Sequence, residues 1–361
     1  MTSAMLPLRP ELRGAEPYGS PQLDAPVRLN VNENPYGPSP QLIAHIAAAV
    51  TEVAGELNRY PDREATALRA ALADYLGHGL SVDRVWAANG SNEVMLQLLQ
   101  AFAGPGRTAL SFAPTYSMYP EYAQVTSTRW VTGRRTDRFD VDVEEASALI
   151  DSEQPSVVLV ASPNNPTGTS LPLAVVERLL EVAPGVVVVD EAYAEFRREG
   201  TASALTLLAA HPRLVVTRTM SKAFGFAGGR LGYLAASAEV VDALRLVRLP
   251  YHLSTLTQIV AQVALLHRPE LLSRVDDLRR ERDATVSWLR CEGLKAADSD
   301  ANFVLFGQFA ARQLVWQGLL DRGVLIRVTG PEGWLRVSVG TPQEMARFRR
   351  ALTEVLEEIG R

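Results

Sequence analysis

The sequence predicts an α/β fold: a large domain with a mostly parallel mixed sheet flanked by helices, plus a smaller α+β domain. Three observations carry this. Short runs such as Val157–Ala161, Val186–Val189 and Leu231–Ala235 are apolar at consecutive positions, as strands covered on both faces are. Amphipathic stretches of helical period separate the earlier runs, as crossover helices separate parallel strands. Past Pro250 the alternation stops and long helical patterns take over.

Residues 1–38 are rich in Pro, Gly and Asn and weakly periodic. They read as an extended N-terminal arm that also forms part of the small domain. A large domain is expected over 39–249. Its helices fall at 40–54, 62–76, 92–103, 117–124 and 172–182. Its strands fall at Val85–Ala88, Ala109–Phe112, Val157–Ala161, Val186–Asp190, Leu214–Thr217 and Leu231–Ala235. The small C-terminal domain, 250–361, has helical patterns at 254–267 and 270–290. Strands near 303–306, 324–327 and 334–339 and a terminal helix at 342–358 complete it. There is no internal repeat and no low-complexity linker.

Of 361 residues 47% are hydrophobic and 21% charged, a globular composition with apolar material for a large core. The net charge of −5 comes without a basic patch, so neither nucleic acid nor a membrane surface is an expected partner. The single cysteine, Cys291, excludes an intrachain disulfide and a cysteine-based zinc site, and no metal is expected. Met1 to Arg13 carries no signal-peptide pattern and no apolar run is long enough to span a membrane. The expected location is the cytoplasm.

Lysine is nearly absent. Of 36 basic residues only Lys222 and Lys295 are lysines. An amine that persists against such a bias is a candidate for chemistry a guanidinium cannot do: losing its proton and attacking a carbonyl. Lys295, in Gly293-Leu294-Lys295-Ala296, reads as an ordinary exposed turn. Lys222 sits in Thr219-Met220-Ser221-Lys222-Ala223-Phe224, ahead of the Gly-rich Gly225–Arg230.

Other motifs surround it in sequence. The Val186–Asp190 strand ends in acids, and in a parallel sheet ligands sit at the carboxyl ends of strands, so Asp190 can present a carboxylate. A magnesium-binding strand of a P-loop ATPase would need G-x-x-x-x-G-K-[ST], which neither lysine provides. Asn89-Gly90-Ser91-Asn92-Glu93 leaves a strand and opens a helix, where backbone N–H groups can bind phosphate. A plain capped helix start explains it equally well. No G-x-G-x-x-G dinucleotide fingerprint occurs. Ser162-Pro163-Asn164-Asn165-Pro166-Thr167-Gly168 is a turn in which Asn165 could donate to an anionic oxygen. Arg230, flanked by glycines, follows Lys222 by eight residues.

In this order the motifs resemble those of the fold-type-I aminotransferases that use pyridoxal phosphate, over about Arg28 to Glu357. More narrowly the chain is similar to the histidinol-phosphate aminotransferase branch, particularly its actinobacterial type. The residues that carry this are Leu12-Arg13-Gly14, Pro17-Tyr18-Gly19, Leu29-Asn30-Val31-Asn32-Glu33-Asn34-Pro35 and Arg59-Tyr60-Pro61-Asp62. Trp86–Glu93, Pro114-Thr115-Tyr116-Ser117-Met118 and Leu335–Gly340 add to it.

The resemblance implies pyridoxal 5'-phosphate as cofactor, held covalently by Lys222, whose freed amine then moves a proton. It implies that Asp190 pairs with the pyridine nitrogen, that Tyr193 and Asn165 bond the ring's phenolic oxygen and that Tyr116 stacks on the ring. Ser91, Asn92, Thr219, Ser221 and Arg230 are implied to bind the phosphate. The tyrosine matching Tyr60 reaches the neighbouring subunit's site in the family, which implies a homodimer with shared sites. The implied substrates, histidinol phosphate and glutamate or 2-oxoglutarate, each bring an anionic group to one pocket. Arg336 and Arg327 are implied to bind it, with Tyr18 of the arm closing over the phosphate. Relatives often carry an acidic residue after the arginine matching Arg327; here it is Val328. The runner-up is an aromatic-amino-acid aminotransferase on the same scaffold. A decarboxylase of phosphothreonine type would use Lys222 and Asp190 identically. A regulator with an added DNA-binding domain finds no room in 361 residues.

Overall fold

Runs of valine and leucine build the centre of the protein, seen here in a computed structural model that describes residues 7–360. Met1–Leu6, where the arm and the Met1–Arg13 stretch without a signal-peptide pattern begin, and Arg361, the end of the expected small domain, lie outside the described residues. In chain order the first elements are β1 (Val27–Arg28), α1 (Pro40–Ala54), α2 (Thr66–Leu76), β2 (Val85–Asn89), α3 (Gly90–Phe102), β3 (Thr108–Ala113) and α4 (Met118–Val125). Next come β4 (Arg129–Arg134), α5 (Val143–Glu153), β5 (Val157–Ala161), α6 (Leu173–Val182), β6 (Val186–Asp190), β7 (Leu214–Thr219), β8 (Leu231–Ala235) and α7 (Ala238–Val247). The C-terminal part holds α8 (Thr255–Leu266), α9 (Arg268–Cys291), β9 (Lys295–Ala296), β10 (Phe303–Gly307) and α10 (Arg312–Asp321). It ends with β11 (Val324–Leu325), β12 (Arg327–Val328), β13 (Trp334–Ser338) and α11 (Pro342–Glu358).

The large sheet has the order β2-β8-β7-β6-β5-β3-β4. Only β8 runs against its neighbours; the others are parallel. The carboxyl ends of the parallel strands and the amino end of β8 therefore share one edge, where a ligand crevice is expected. The alternation of side chains divides the sheet cleanly. Val158, Val160, Val187, Val189 and Val216 join one apolar cluster, with Leu68 and Leu72 of α2. Val157, Leu159, Val186, Val188 and Val215 join the other, with Val94 and Leu98 of α3. Burying each such side chain contributes about 1.5–3 kcal/mol.

The smaller sheet, β12-β13-β10-β9, is antiparallel and packs Val304, Phe306, Leu335 and Val337 against Phe348 and Leu352 of α11. A capping box, Thr341 with Glu344, starts α11. The N-terminal segment reaches this region: β1 pairs in parallel with β11. Helix α8 packs on α1 and α2.

Several elements differ from the sequence reading. Helix α2 starts at Thr66 rather than 62, because the Asp62 carboxylate accepts the backbone N–H groups of Glu64 and Thr66 and Ala65 is left-handed. The strand expected at 324–327 divides at Ile326 into β11 and β12, which pair with different partners. Lys295 is exposed as expected, but in the short strand β9. Strand β4, whose exposed polar residues mask it, and helices α5, α7 and α10 carried no apolar run that singled them out.

Candidate active site

At the carboxyl edge of the large sheet a cavity of about 280 Å³ receives residues from β6, from the turns after β3, β5 and β7, from the start of α3 and from the small sheet. Of the residues expected from the sequence only Tyr60 lies outside it.

Lys222 follows β7 and its amine donates to the Val31 carbonyl at 3.0 Å. Burial, then the positive Arg336 and Arg230, push its pKa down to about 8 against the pull of Glu33. A sizeable share of the amine is thus neutral near physiological pH, as a nucleophile requires. Asp190, at the end of β6, is buried. It accepts from the hydroxyls of Tyr119 at 3.0 Å and Thr217 at 3.1 Å and from the Ala192 N–H at 3.2 Å. Burial raises its pKa and these donors oppose the rise. The donors orient both oxygens at the cavity wall. Tyr193 is buried edge-on to Phe303, and its hydroxyl accepts from Asn32 at 3.0 Å.

One part of the lining gathers hydrogen-bond donors and a cation. The first turn of α3 presents the backbone of Ser91 and Asn92. Gly90 has φ +79°, and a Cβ there would stand 2.4 Å from the Arg230 guanidinium, so only glycine lets the arginine lie against the helix start. Arg230 donates to the Ser221 hydroxyl at 3.4 Å, and Thr219 donates to Ser221 at 3.1 Å. Tyr116 stands edge-on to Tyr119, and its hydroxyl reaches the Asn92 side chain at 3.5 Å.

The cavity lining includes two further arginines. Arg336 is buried and donates to the Asn165 side chain at 2.5 Å and to the Asn30 carbonyl at 2.8 Å. Its Nε has no partner among the described residues. Burial pushes its pKa down to about 10. Arg327 is held by the Ser20 hydroxyl and the Gly19 carbonyl. The arm thus orients Arg327, which has Val328 rather than an acid beside it. Tyr18, half-exposed, bonds Ser117 at 3.0 Å across the mouth. Tyr60 is 80% exposed and stacks on Tyr251 at 4.4 Å.

Five contributors are not marked in the sequence: Tyr119, Thr217, Asn32 and the carbonyls of Asn30 and Val31. Tyr119 had a signal, since it lies three residues after Tyr116 in a helical pattern. Thr217 was placed on a strand without a role. Asn30, Val31 and Asn32 belong to the Leu29–Pro35 motif, but their partners lie far along the chain.

Residues 25–352 match the family described as Aminotransferase class I and II. The chain belongs to the class I and II aminotransferases. Among relatives of this aminotransferase is the histidinol-phosphate aminotransferase of Thermobifida fusca (strain YX), 65% identical, with 96% of this chain and 95% of the relative covered. Another is histidinol-phosphate aminotransferase 3 of Burkholderia lata, 60% identical over 97% and 96%. The same architecture occurs in the crystal structure of histidinol-phosphate aminotransferase from Sinorhizobium meliloti in complex with pyridoxal-5'-phosphate. The TM-score is 0.89, the identity 24%, and both chains are covered completely. Among the described residues of this aminotransferase no helix is long and apolar enough to cross a membrane.

Proposed function

We propose that this aminotransferase uses pyridoxal 5'-phosphate to convert histidinol phosphate and 2-oxoglutarate reversibly to imidazole-acetol phosphate and glutamate, a step of histidine biosynthesis. The observation that carries this is one cavity lined both by Arg230 with the α3 start and by Arg336 with Arg327, together with Lys222 and Asp190. Arg230 with the α3 start suits the phosphate of the cofactor, and Arg336 with Arg327 the anionic end of each substrate. The names of the relatives at 60% and 65% identity support it.

The residues fit the cofactor. Arg230, packed against Gly90 at the start of α3, lines the cavity with Ser91, Asn92, Thr219 and Ser221, and Arg327 and Arg336 line it too, so cationic and polar donors are at hand for two anions. When bound, pyridoxal phosphate supplies a carbonyl for amines and an electron sink. Lys222 holds it, and when released takes and returns the proton of the substrate carbon. Asp190 pairs with the ring nitrogen; Tyr193 and Asn165 bond the phenolic oxygen; Tyr116 covers a ring face. Ser91, Asn92, Thr219, Ser221 and Arg230 bind the phosphate. Arg336 and Arg327 fix the substrate anion, and Tyr18 excludes water from it.

A homodimer with shared sites goes with this reading. Leu57, Tyr60, Leu246, Leu249 and Tyr251 are exposed. Arg245 and Arg248 bond Glu64, which brings the end of α7 beside the Tyr60 loop. The resulting apolar patch suits a second copy of the chain. Residues 39–249 would bind the cofactor and 250–361, with the arm, the substrate anion. The cytoplasm is the proposed location.

The test compares histidinol phosphate with phenylalanine as amino donor to 2-oxoglutarate, and maps the pyridoxyl adduct after borohydride reduction. A higher kcat/KM for histidinol phosphate and an adduct on Lys222 are expected. A preference for phenylalanine points to the aromatic aminotransferase, and an adduct on Lys295 or none rejects the site.

A further inference from the structure

Asn32 belongs to no strand or helix, yet it is among the most constrained residues of the molecule. It is 2% exposed and holds a left-handed φ of +57°, which asparagine adopts more readily than most residues but not freely. Every polar group of this residue is engaged. Its backbone N–H donates to the Ser338 hydroxyl at 2.9 Å. Its carbonyl accepts from the Asn302 amide at 3.1 Å. Its side-chain oxygen accepts from the Ser338 hydroxyl at 2.9 Å, and its side-chain nitrogen donates to the Tyr193 hydroxyl at 3.0 Å. Ser338 ends β13, and Asn302 stands just before β10, so both anchors come from the small sheet.

These bonds fix which way the amide points. The Ser338 hydroxyl already accepts the Asn32 backbone N–H and has one hydrogen of its own to give. That hydrogen goes to Asn32 Oδ1. With the amide turned over, Ser338 would face two donors and its own hydrogen would lose this acceptor. The orientation that satisfies Ser338 places Nδ2 against Tyr193. The Tyr193 oxygen then accepts, and its single hydrogen is free for the cavity that Tyr193 lines.

We propose that Asn32 is a positioning residue that makes Tyr193 a hydrogen-bond donor toward the cavity, with its amide direction set by Ser338 of the small sheet. This rests on the reading that the cavity binds pyridoxal phosphate, whose phenolic oxygen receives that hydrogen. A donated hydrogen bond draws electron density from the phenolic oxygen and so lowers the proton affinity of the adjoining nitrogen that joins the cofactor to Lys222. Losing or misdirecting the donor raises it.

The experiment is a pH titration of the visible absorption of the holoenzyme, for wild type, Asn32→Ala, Asn32→Asp and Tyr193→Phe, and for each Asn32 change combined with Tyr193→Phe. The expected midpoint of Asn32→Ala lies above wild type by roughly half a unit to one unit, the scale of one hydrogen bond to a charged form. Asn32→Asp turns the donor into an acceptor that competes for the Tyr193 hydrogen, so its shift is larger. In the Tyr193→Phe background the Asn32→Ala shift should vanish and the Asn32→Asp shift should shrink to the effect of the added charge alone. Should Asn32→Ala fail to fold, Ser338→Ala gives the second reading, a smaller upward shift that also vanishes without the Tyr193 hydroxyl. An unmoved midpoint, or equal shifts with and without that hydroxyl, overturns the proposal. A wild-type protein that binds no pyridoxal phosphate instead overturns the functional reading beneath it.

Discussion

Replacing Lys222 by Met should stabilise the cofactor-free protein at neutral pH while abolishing its chemistry. The site pushes the amine from the ordinary value of 10.5 down to about 8, mainly through burial. The folded state therefore carries a cost at any pH where the unfolded chain would hold that proton freely. At about 1.4 kcal/mol per unit, the cost is on the order of 3 kcal/mol at pH 7. Met fills similar space without the charge, but the Val31 carbonyl loses its donor, worth about 0.5–1.5 kcal/mol. The net expectation is a gain of about 2 kcal/mol at pH 7. The pH dependence is diagnostic. Below about pH 8 the amine is protonated in both states and the cost is complete. From there to the unfolded value only the unfolded chain binds the proton, so wild-type stability rises with pH relative to the variant. Urea unfolding of both cofactor-free proteins between pH 7 and pH 10 measures the gap. It should be widest at the lower end and close toward the upper. A gap that stays constant or widens with pH would refute the burial argument, as would a variant less stable than wild type at pH 7.

Gly90→Ala should weaken pyridoxal phosphate binding by about tenfold and lower stability by roughly 1–2 kcal/mol. The new Cβ demands a left-handed alanine and displaces the Arg230 guanidinium. Titration of the cofactor-free variant with pyridoxal phosphate reads the first effect, and unchanged affinity would contradict the phosphate assignment. Arg336→Ala should cost roughly one to two decades in kcat/KM with both histidinol phosphate and glutamate, as expected for a lost charge-assisted contact. Arg327→Ala should penalise histidinol phosphate more than glutamate; equal losses would reject that division of labour. Mixed Lys222→Ala and Tyr60→Ala subunits should show more activity than the sum of the two alone, because a heterodimer holds one intact site. Demonstrated subunit exchange without that gain would place Tyr60 outside the partner's site.

Legibility in the sequence followed the range of the interaction that decides each feature. Strands β5, β6 and β8 were readable to the residue because covering a strand on both faces demands consecutive apolar side chains, a purely local pattern. The same local reading placed Asp190 at a strand end and Lys222 just past one. The edge strand β4 has only one neighbour and an exposed face, so it lacks the run and was missed. Within the site the pattern repeats. Lys222 stands out through the scarcity of its type, and Gly90 through its place at a helix start. Asn32 has no such mark, since its role depends on Ser338, 306 residues away, and on Tyr193, 161 away. Nor could any side-chain pattern reveal that the carbonyls of Asn30 and Val31 hold Arg336 and Lys222. Those backbone atoms are in place because β1 pairs with β11 just upstream, and the Leu29 carbonyl accepts the Ser338 N–H. The arm is thus part of the site's frame. It brings acceptors to the two cations whose protonation the chemistry depends on, and it does so through backbone geometry that only the assembled fold defines.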